Sequence, residues 1–232
     1  IAEEHPKAKK YTDFRRMIER EKLDGVVVAT PDHSHAYISI YAMRHGLHVY
    51  CQKPLCQTVH EARVMARVAA ETGRITQMGT QSSTAEATLR TVELVQSGVL
   101  GEITEIHVAT DRPIWPQGYD RPAGEDPVPK HLEWDLWLGP AEERPYSPRY
   151  HPAGWRSYWN FGGGHLADMG CHYIDLAFWA LELRGPRAVE AEGPPVDEHG
   201  APPWLIVRWE FPARGERPPV KLVWYHGGRK PP

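Results

Sequence analysis

The residues best suited to chemistry form the run Gly162-Gly163-Gly164-His165-Leu166-Ala167-Asp168-Met169-Gly170-Cys171-His172-Tyr173-Ile174-Asp175. On a helix, Asp168 and His172 lie four apart and Asp175 three further on, so all three share a face. An aspartate so placed holds one imidazole nitrogen while the other exchanges a proton with a substrate hydroxyl. The same spacing also describes a surface Asp–His pair worth roughly a few tenths of a kcal/mol. A metal set of His165, Asp168 and His172 lacks further ligands at telling spacing, so no metal is expected.

A second concentration is Thr30-Pro31-Asp32-His33-Ser34-His35 together with Gln52-Lys53-Pro54. Lys53 reads either as a solvated surface amine or, with Pro54 fixing the backbone behind it, as a functional cation. His33 and His35 fall in the first turn of a helix. There they satisfy local backbone groups or meet the polar or anionic ligand that a helix N-terminus favours. Cys51 and Cys56 read as a redox pair or, more commonly for such residues, as buried structural thiols. The proline-rich stretch from Asp111 to Gly164 holds Trp115, Trp134, Trp137, Trp155 and Trp159. A loop that long is functional or packed by its own side chains. Its indoles are core, or, beside Arg156 and Asn160, a wall for a sugar with apolar C–H faces and polar edges; their concentration in one loop favours the wall.

Alternating strands and helices must position these groups. Gly25 to Ala29 is a short apolar run without alternation, as expected of a strand covered on both faces. Asp32 and Ser34 are candidate N-caps for a helix carrying Ala36, Ile40, Met43 and Leu47, closed by Gly46, and His48 to Cys51 is the next strand. Two strands joined by a helix run parallel, and ligands bind beyond their carboxyl ends. Thr58 with Glu61 is a capping box opening a helix that stops at Gly73, and Ile75 to Met78 is a third strand. Upstream, Ile1 to Lys9 reads as a helix tail and Phe14 to Lys22 as a charged helix. Beyond Gln81 come a helix over 85–97, a strand over 103–110, a helix from Leu166 to Leu183, and strands at 188–192, 204–211 and 220–225. Leu205, Val207, Trp209 and Phe211 alternate with Arg208 and Glu210, which predicts an antiparallel sheet with one buried face.

With 41% hydrophobic and 25% charged residues, the 232-residue chain has the composition of a globular protein. A net charge of −3 gives no electrostatic case for nucleic acid or membrane binding. Three cysteines in so large a chain argue against a disulfide framework. No G-x-G-x-x-G occurs, and the chain starts within a helical pattern and ends after a strand-like run. It reads as a fragment lacking the first βα unit of a dinucleotide fold, truncated also at its C-terminus. Any export signal would then lie upstream, and a cytoplasmic location is favoured over export.

The motifs ATPDHSHA, HVYCQKPL, QMGTQ, WDLWLGP and WRSYWNFGGGHLADMGCHYIDLAFWAL, in that order, resemble the glucose–fructose oxidoreductase / inositol dehydrogenase / MocA (Gfo/Idh/MocA) family. The resemblance implies an α/β protein. Residues 1–82 would be a partial Rossmann domain for NAD or NADP, and residues 83–232 a substrate-binding α+β domain with an open, mostly antiparallel sheet. It places Thr30, Pro31, Asp32, His35, Gln52, Lys53 and Gln81 against the cofactor and makes Lys53, Asp168 and His172 catalytic. Trp155 and Arg156, with His172, would hold the substrate. One position departs: the family glutamate before the lysine is Gln52, which removes a carboxylate beside Lys53. The expected activity is hydride transfer between nicotinamide and a secondary hydroxyl of a sugar, cyclitol or glycoside, in a homo-oligomer. The rival readings are a redox-assisted glycosidase and a non-catalytic sugar-binding or regulatory relative.

Overall fold

The computed structural model describes residues 4–111 and 116–232; Ile1 to Glu3 of the expected helix tail, and Trp115, lie outside them. The chain divides into two compact units, Ile1–Met78 with Glu125–Tyr146, and Gly79–Gly124 with Ser147–Pro232. Segment 125–146, expected with the substrate domain, thus clusters with the first unit.

The first unit holds α1 (Phe14–Arg20), β1 (Gly25–Val28), α2 (His35–Arg44), β2 (His48–Gln52), α3 (Val59–Thr72) and β3 (Thr76–Gly79). Residues 4–9 are turns, not the expected helix tail; Asp13 opens α1 instead, its carboxylate accepting from the Arg15 amide. The strands form one sheet in the order β1-β2-β3, and β1 runs parallel to β2 with Val26 opposite Val49 and Val28 opposite Cys51. Val28, Val49 and Cys51 bury one sheet face against Ile18 of α1, Ala42 and Met43 of α2, and Val68 of α3. Each large aliphatic side chain sealed in this way contributes roughly 1.5–3 kcal/mol. The opposite face is open among the described residues, with Val27 69% exposed. Among the described residues the helices that pack on β1 all lie on one side, so its apolar run is covered there on one face.

Capping chemistry follows the sequence closely at α3. The Thr58 hydroxyl accepts from the Glu61 amide at 3.1 Å, and the Glu61 carboxylate accepts from the Thr58 amide at 2.9 Å. Gly73 ends the helix at φ +64°, a left-handed conformation open to glycine at little cost. At α2 the expectation fails. The Ser34 hydroxyl caps nothing and donates back to the Pro31 carbonyl at 2.9 Å. Segment 125–146 contributes α5 (Trp134–Leu138), where Trp134 and Trp137 stack at 4.8 Å and Tyr146 meets Trp134 edge-on.

The second unit is built from α4 (Glu86–Gln96), β4 (Glu105–Ala109), α6 (Gly164–Tyr173), α7 (Asp175–Ala180), β5 (Ala188–Glu192), β6 (Leu205–Phe211) and β7 (Val220–His226). Its sheet has the order β4-β7-β6-β5. β4 runs parallel to β7, and the other two pairings are antiparallel. The expected alternation holds: Phe211, Val220 and Leu222 pack on Ala177, Leu181 and Leu183, while Glu210 and Lys221 face outward. The predicted helix 166–183 is two helices meeting at Ile174. The hydrogen-bond ladder carries through this point, since the Ile174 amide donates to the Gly170 carbonyl at 2.9 Å.

Candidate active site

In the first unit the carboxyl ends of β1 and β2 carry two turns. After β1, Thr30-Pro31 leads into a single 3-10 turn, Asp32–Ser34, and then α2; Asp32, His33 and His35 are all buried. After β2, Gln52 and Lys53 are half-buried, and the Lys53–Pro54 peptide is cis. His35 joins the turns: its Nε2 lies 2.8 Å from the Thr30 carbonyl and its Nδ1 2.7 Å from that of Pro54. His33 reaches further along the chain, donating from Nε2 to the Trp137 carbonyl at 3.0 Å. Beside these turns lies a cavity of about 430 Å³, lined by Thr30, Pro31, Ser34, Tyr37 and Trp137 and by Asp13 and Arg15 at the start of α1. The Arg15 guanidinium grips Asp13 through two oxygens and holds its carboxyl below the usual range. Sheet edge, helix start and mixed polar and apolar walls together fit part of a dinucleotide.

In the second unit the glycine run brings backbones together at the start of α6. A Cβ on Gly162 would lie 2.9 Å from the Arg156 Cα, and Gly164, at φ +64°, leaves no room beside Ala201 and Gln117. Glycine has no side chain to cap α6, so the cap comes from elsewhere. The Gln117 carbonyl oxygen accepts from the His165 amide at 2.6 Å, and its amide nitrogen donates to the Pro202 carbonyl at 2.8 Å. Under this end His165 is fully buried, its ring 5.1 Å from His226 and 5.8 Å from Trp224. The Trp224 indole donates to His226 Nδ1 at 2.7 Å. An indole nitrogen can only donate, so His226 is neutral with its hydrogen on Nε2, and burial pushes its pKa below the ordinary value.

Asp168 is 6% exposed, and Arg156 Nε stands 3.7 Å from its carboxylate. The Arg156 guanidinium lies over the Trp155 ring at 4.2 Å, and Trp155 itself is buried. His172, half-buried, follows one turn along α6. Asp175 begins α7 and accepts from the Ser83 hydroxyl at 2.5 Å, which ties the turn Gln81–Thr84 to this helix pair.

The structure thus gathers the expected site residues into two sets. Thr30, Pro31, Asp32, His35, Gln52 and Lys53 belong to the first unit, while Gln81, Trp155, Arg156, Asp168 and His172 belong to the second. The tryptophans divide likewise and form no single wall, since Trp134 and Trp137 build the first unit and Trp155 and Trp159 the second. Gln117, Ser83 and the Trp224–His226 pair were not foreseen. The one signal for Gln117 was indirect: three glycines opening a helix imply a distant cap. Burial pushes the Cys51 thiol up to about 11, which keeps it protonated and speaks against a redox pair with Cys56. Among the described residues no three His, Cys, Asp or Glu side chains are grouped to hold a metal ion, and no helix is long and apolar enough to cross a membrane.

Comparison with known proteins bears on both units. A family model described as "Oxidoreductase family, NAD-binding Rossmann fold" matches residues 1–80, and "Oxidoreductase family, C-terminal alpha/beta domain" matches residues 85–214. The D-glucoside 3-dehydrogenase of Escherichia coli (strain K12) is 29% identical over 194 residues, 82% of this chain and 45% of its own length. An alpha-N-acetylgalactosaminidase of Bacteroides fragilis is 32% identical over 96 residues, 41% of this chain and 23% of its own. The fold is similar to that of the WlbA dehydrogenase from Bordetella pertussis, solved with NADH and UDP-GlcNAcA. The TM-score is 0.70 at 21% identity, over 99% of this chain and 56% of that one. The chain spans about half the length of these two dehydrogenases. With one unit matched by the nucleotide-binding model and more than half the chain by its C-terminal partner, the chain belongs to the Gfo/Idh/MocA oxidoreductase family.

Proposed function

We propose that the chain is part of an NAD(P)-dependent oxidoreductase acting on a secondary hydroxyl of a sugar, cyclitol or glycoside. The observation that carries this reading is the group on α6: a nearly sealed Asp168 beside Arg156, whose guanidinium lies on Trp155, with His172 one turn on. The guanidinium plane, held in place by the buried Trp155 ring beneath it, suits the C–H face of a sugar ring, and the carboxylate and imidazole suit its hydroxyls. His172 takes the hydroxyl proton, and Asp168 orients the imidazole and stabilises its charged form. Lys53, past the carboxyl end of β2, is a hydrogen-bond donor of the kind that stabilises negative charge developing on a reacting oxygen. Thr30, Pro31, Asp32 and Gln52, all in the first unit, hold the dinucleotide. When bound, NAD supplies the hydride acceptor. The match to a family model described as NAD-binding supports a nicotinamide dinucleotide, NAD or NADP, as the cofactor.

The test is turnover of the full-length protein on a panel of glucosides, read as NADH formation. His172→Ala lowers kcat by roughly 10² to 10⁴ with little change in NAD binding. Asp168→Asn lowers it as well. Near-normal turnover in both variants would return α6 to an ordinary structural helix. A redox-assisted glycosidase is the second reading, favoured by the similarity to the alpha-N-acetylgalactosaminidase. Release of an aglycone without net NADH accumulation would select it.

A further inference from the structure

We propose that Gly162 is a positioning residue: its missing side chain lets the backbone of Arg156 lie against the entry to α6, and so places the guanidinium within reach of both Trp155 and Asp168. The inference rests on the reading of Arg156 just given, and its grounds are geometric. A Cβ on Gly162 would lie 2.9 Å from the Arg156 Cα, 3.0 Å from its carbonyl oxygen and 3.2 Å from its carbonyl carbon. These three nearest atoms are all main chain, so no rotation of a side chain makes room. Conformation sets no such bar. Gly162 is not among the residues at positive φ, and alanine can adopt its backbone.

Both segments are tied down, so neither turns aside from a methyl at position 162. On one side the Trp155 amide donates to the Tyr150 carbonyl at 2.7 Å and the Ser157 hydroxyl to the Pro116 carbonyl at 2.6 Å. The Ser157 carbonyl accepts from the Ala201 amide at 2.8 Å, and Trp155 and Ser157 are both buried. On the other side the Gly162 amide donates to the Tyr158 carbonyl at 2.9 Å, and α6 begins two residues on. What gives is the spacing between them. Carbon atoms settle about 3.5–4.0 Å apart, so the methyl parts the segments by roughly 0.6 Å or more. The guanidinium has an anchor on each segment. The Trp155 ring, at 4.2 Å, is its neighbour in the chain, and the Asp168 carboxylate, 3.7 Å from Nε, rides on α6. Parted segments do not keep both distances.

The test crosses Gly162→Ala with Arg156→Ala in the full-length protein, on the glucoside that the panel above shows to be turned over fastest. Displacing a reacting group by about 1 Å costs on the order of 10²-fold, so Gly162→Ala lowers kcat/KM for the glucoside by roughly 10-fold. The affinity for NADH is unchanged. Arg156→Ala lowers kcat/KM by itself, and Gly162→Ala then adds no further loss. The urea midpoint of the second unit, by contrast, falls equally in both backgrounds, because the methyl meets main-chain atoms that every residue at 156 carries. An equal loss of kcat/KM with and without the Arg156 side chain would overturn the proposal. So would parental kcat/KM in Gly162→Ala, or weaker NADH binding as its main effect. If Arg156→Ala alone leaves kcat/KM intact, the reading of Arg156 fails and the proposal with it, an outcome distinct from the others. Should Gly162→Ala not fold, proton NMR of the unsubstituted protein reads the same contact. An Overhauser effect between the Hα protons of Gly162 and Arg156, with both resonances moving as the glucoside is added, supports the proposal. Absence of the effect, or resonances that the glucoside leaves in place, overturns it.

Discussion

Replacing Gln117 by alanine removes a side chain that caps α6 and a second hydrogen bond with it. The magnitude follows from the two contacts, 2.6 Å from the His165 amide and 2.8 Å to the Pro202 carbonyl. Loss of a helix cap costs about 1 kcal/mol, within a range of roughly 0.5–2. The bond to Pro202 adds about 1 kcal/mol of net stabilisation. Gln117 is half-buried, so water can reach part of the vacated site, and about 2 kcal/mol is the upper expectation. In a chain of this size that lowers Tm by roughly 4–8 °C. Gln117→Glu separates the two contacts. A carboxylate still accepts from the His165 amide and gains from the helix dipole, but it has no hydrogen for Pro202. Stability should therefore fall in the order Gln, Glu, Ala. The assay is urea unfolding followed through the second unit, with hydrogen exchange at the His165 amide as the local readout, because a chain of two units need not unfold in one step. If Gln117→Ala lies within about 0.5 kcal/mol of the parent and the His165 amide exchanges no faster, the reasoning about this cap is wrong.

Cys51, raised to about 11 by burial, carries on the order of 10⁻³ thiolate at pH 8, so iodoacetamide should label Cys56 and Cys171 well before it. Equal labelling rates, read by peptide mass spectrometry, would contradict the burial of β2. His226 is held neutral by burial, with its pKa lowered from 6.5. Its contribution to stability is present above the unfolded value and lost as pH falls from there toward the lower folded one. His226→Gln should flatten that acid-side loss of urea stability, and an unchanged pH slope would remove His226 as its source. Thr58→Ala should destabilise the first unit by about 1 kcal/mol through its capping box. A midpoint shift too small to measure would mean that α3 is held by packing alone.

Much of this protein is legible without coordinates, and the legible part is local. The Thr58–Glu61 box, the stop at Gly73, the βαβ path from Gly25 to Gln52 and the alternation from Leu205 to Phe211 each depend on neighbours a few residues away. The ordered motifs likewise carried the family from sequence alone. What the sequence could not place are meetings between distant residues. Gln117 and His165 are 48 residues apart, Ser83 and Asp175 are 92 apart, and His33 and Trp137 are 104 apart. The same holds for the tryptophans, which occupy one stretch of sequence yet serve two units, and for β1, whose apolar run says nothing of which face the helices cover. A cap, a helix stop or a strand's alternation is decided by torsions and hydrogen bonds within a turn or two of chain. Which distant carbonyl meets a buried amide is decided only when the path of the whole unit brings them together, since any acceptor of suitable chemistry could satisfy the same donor.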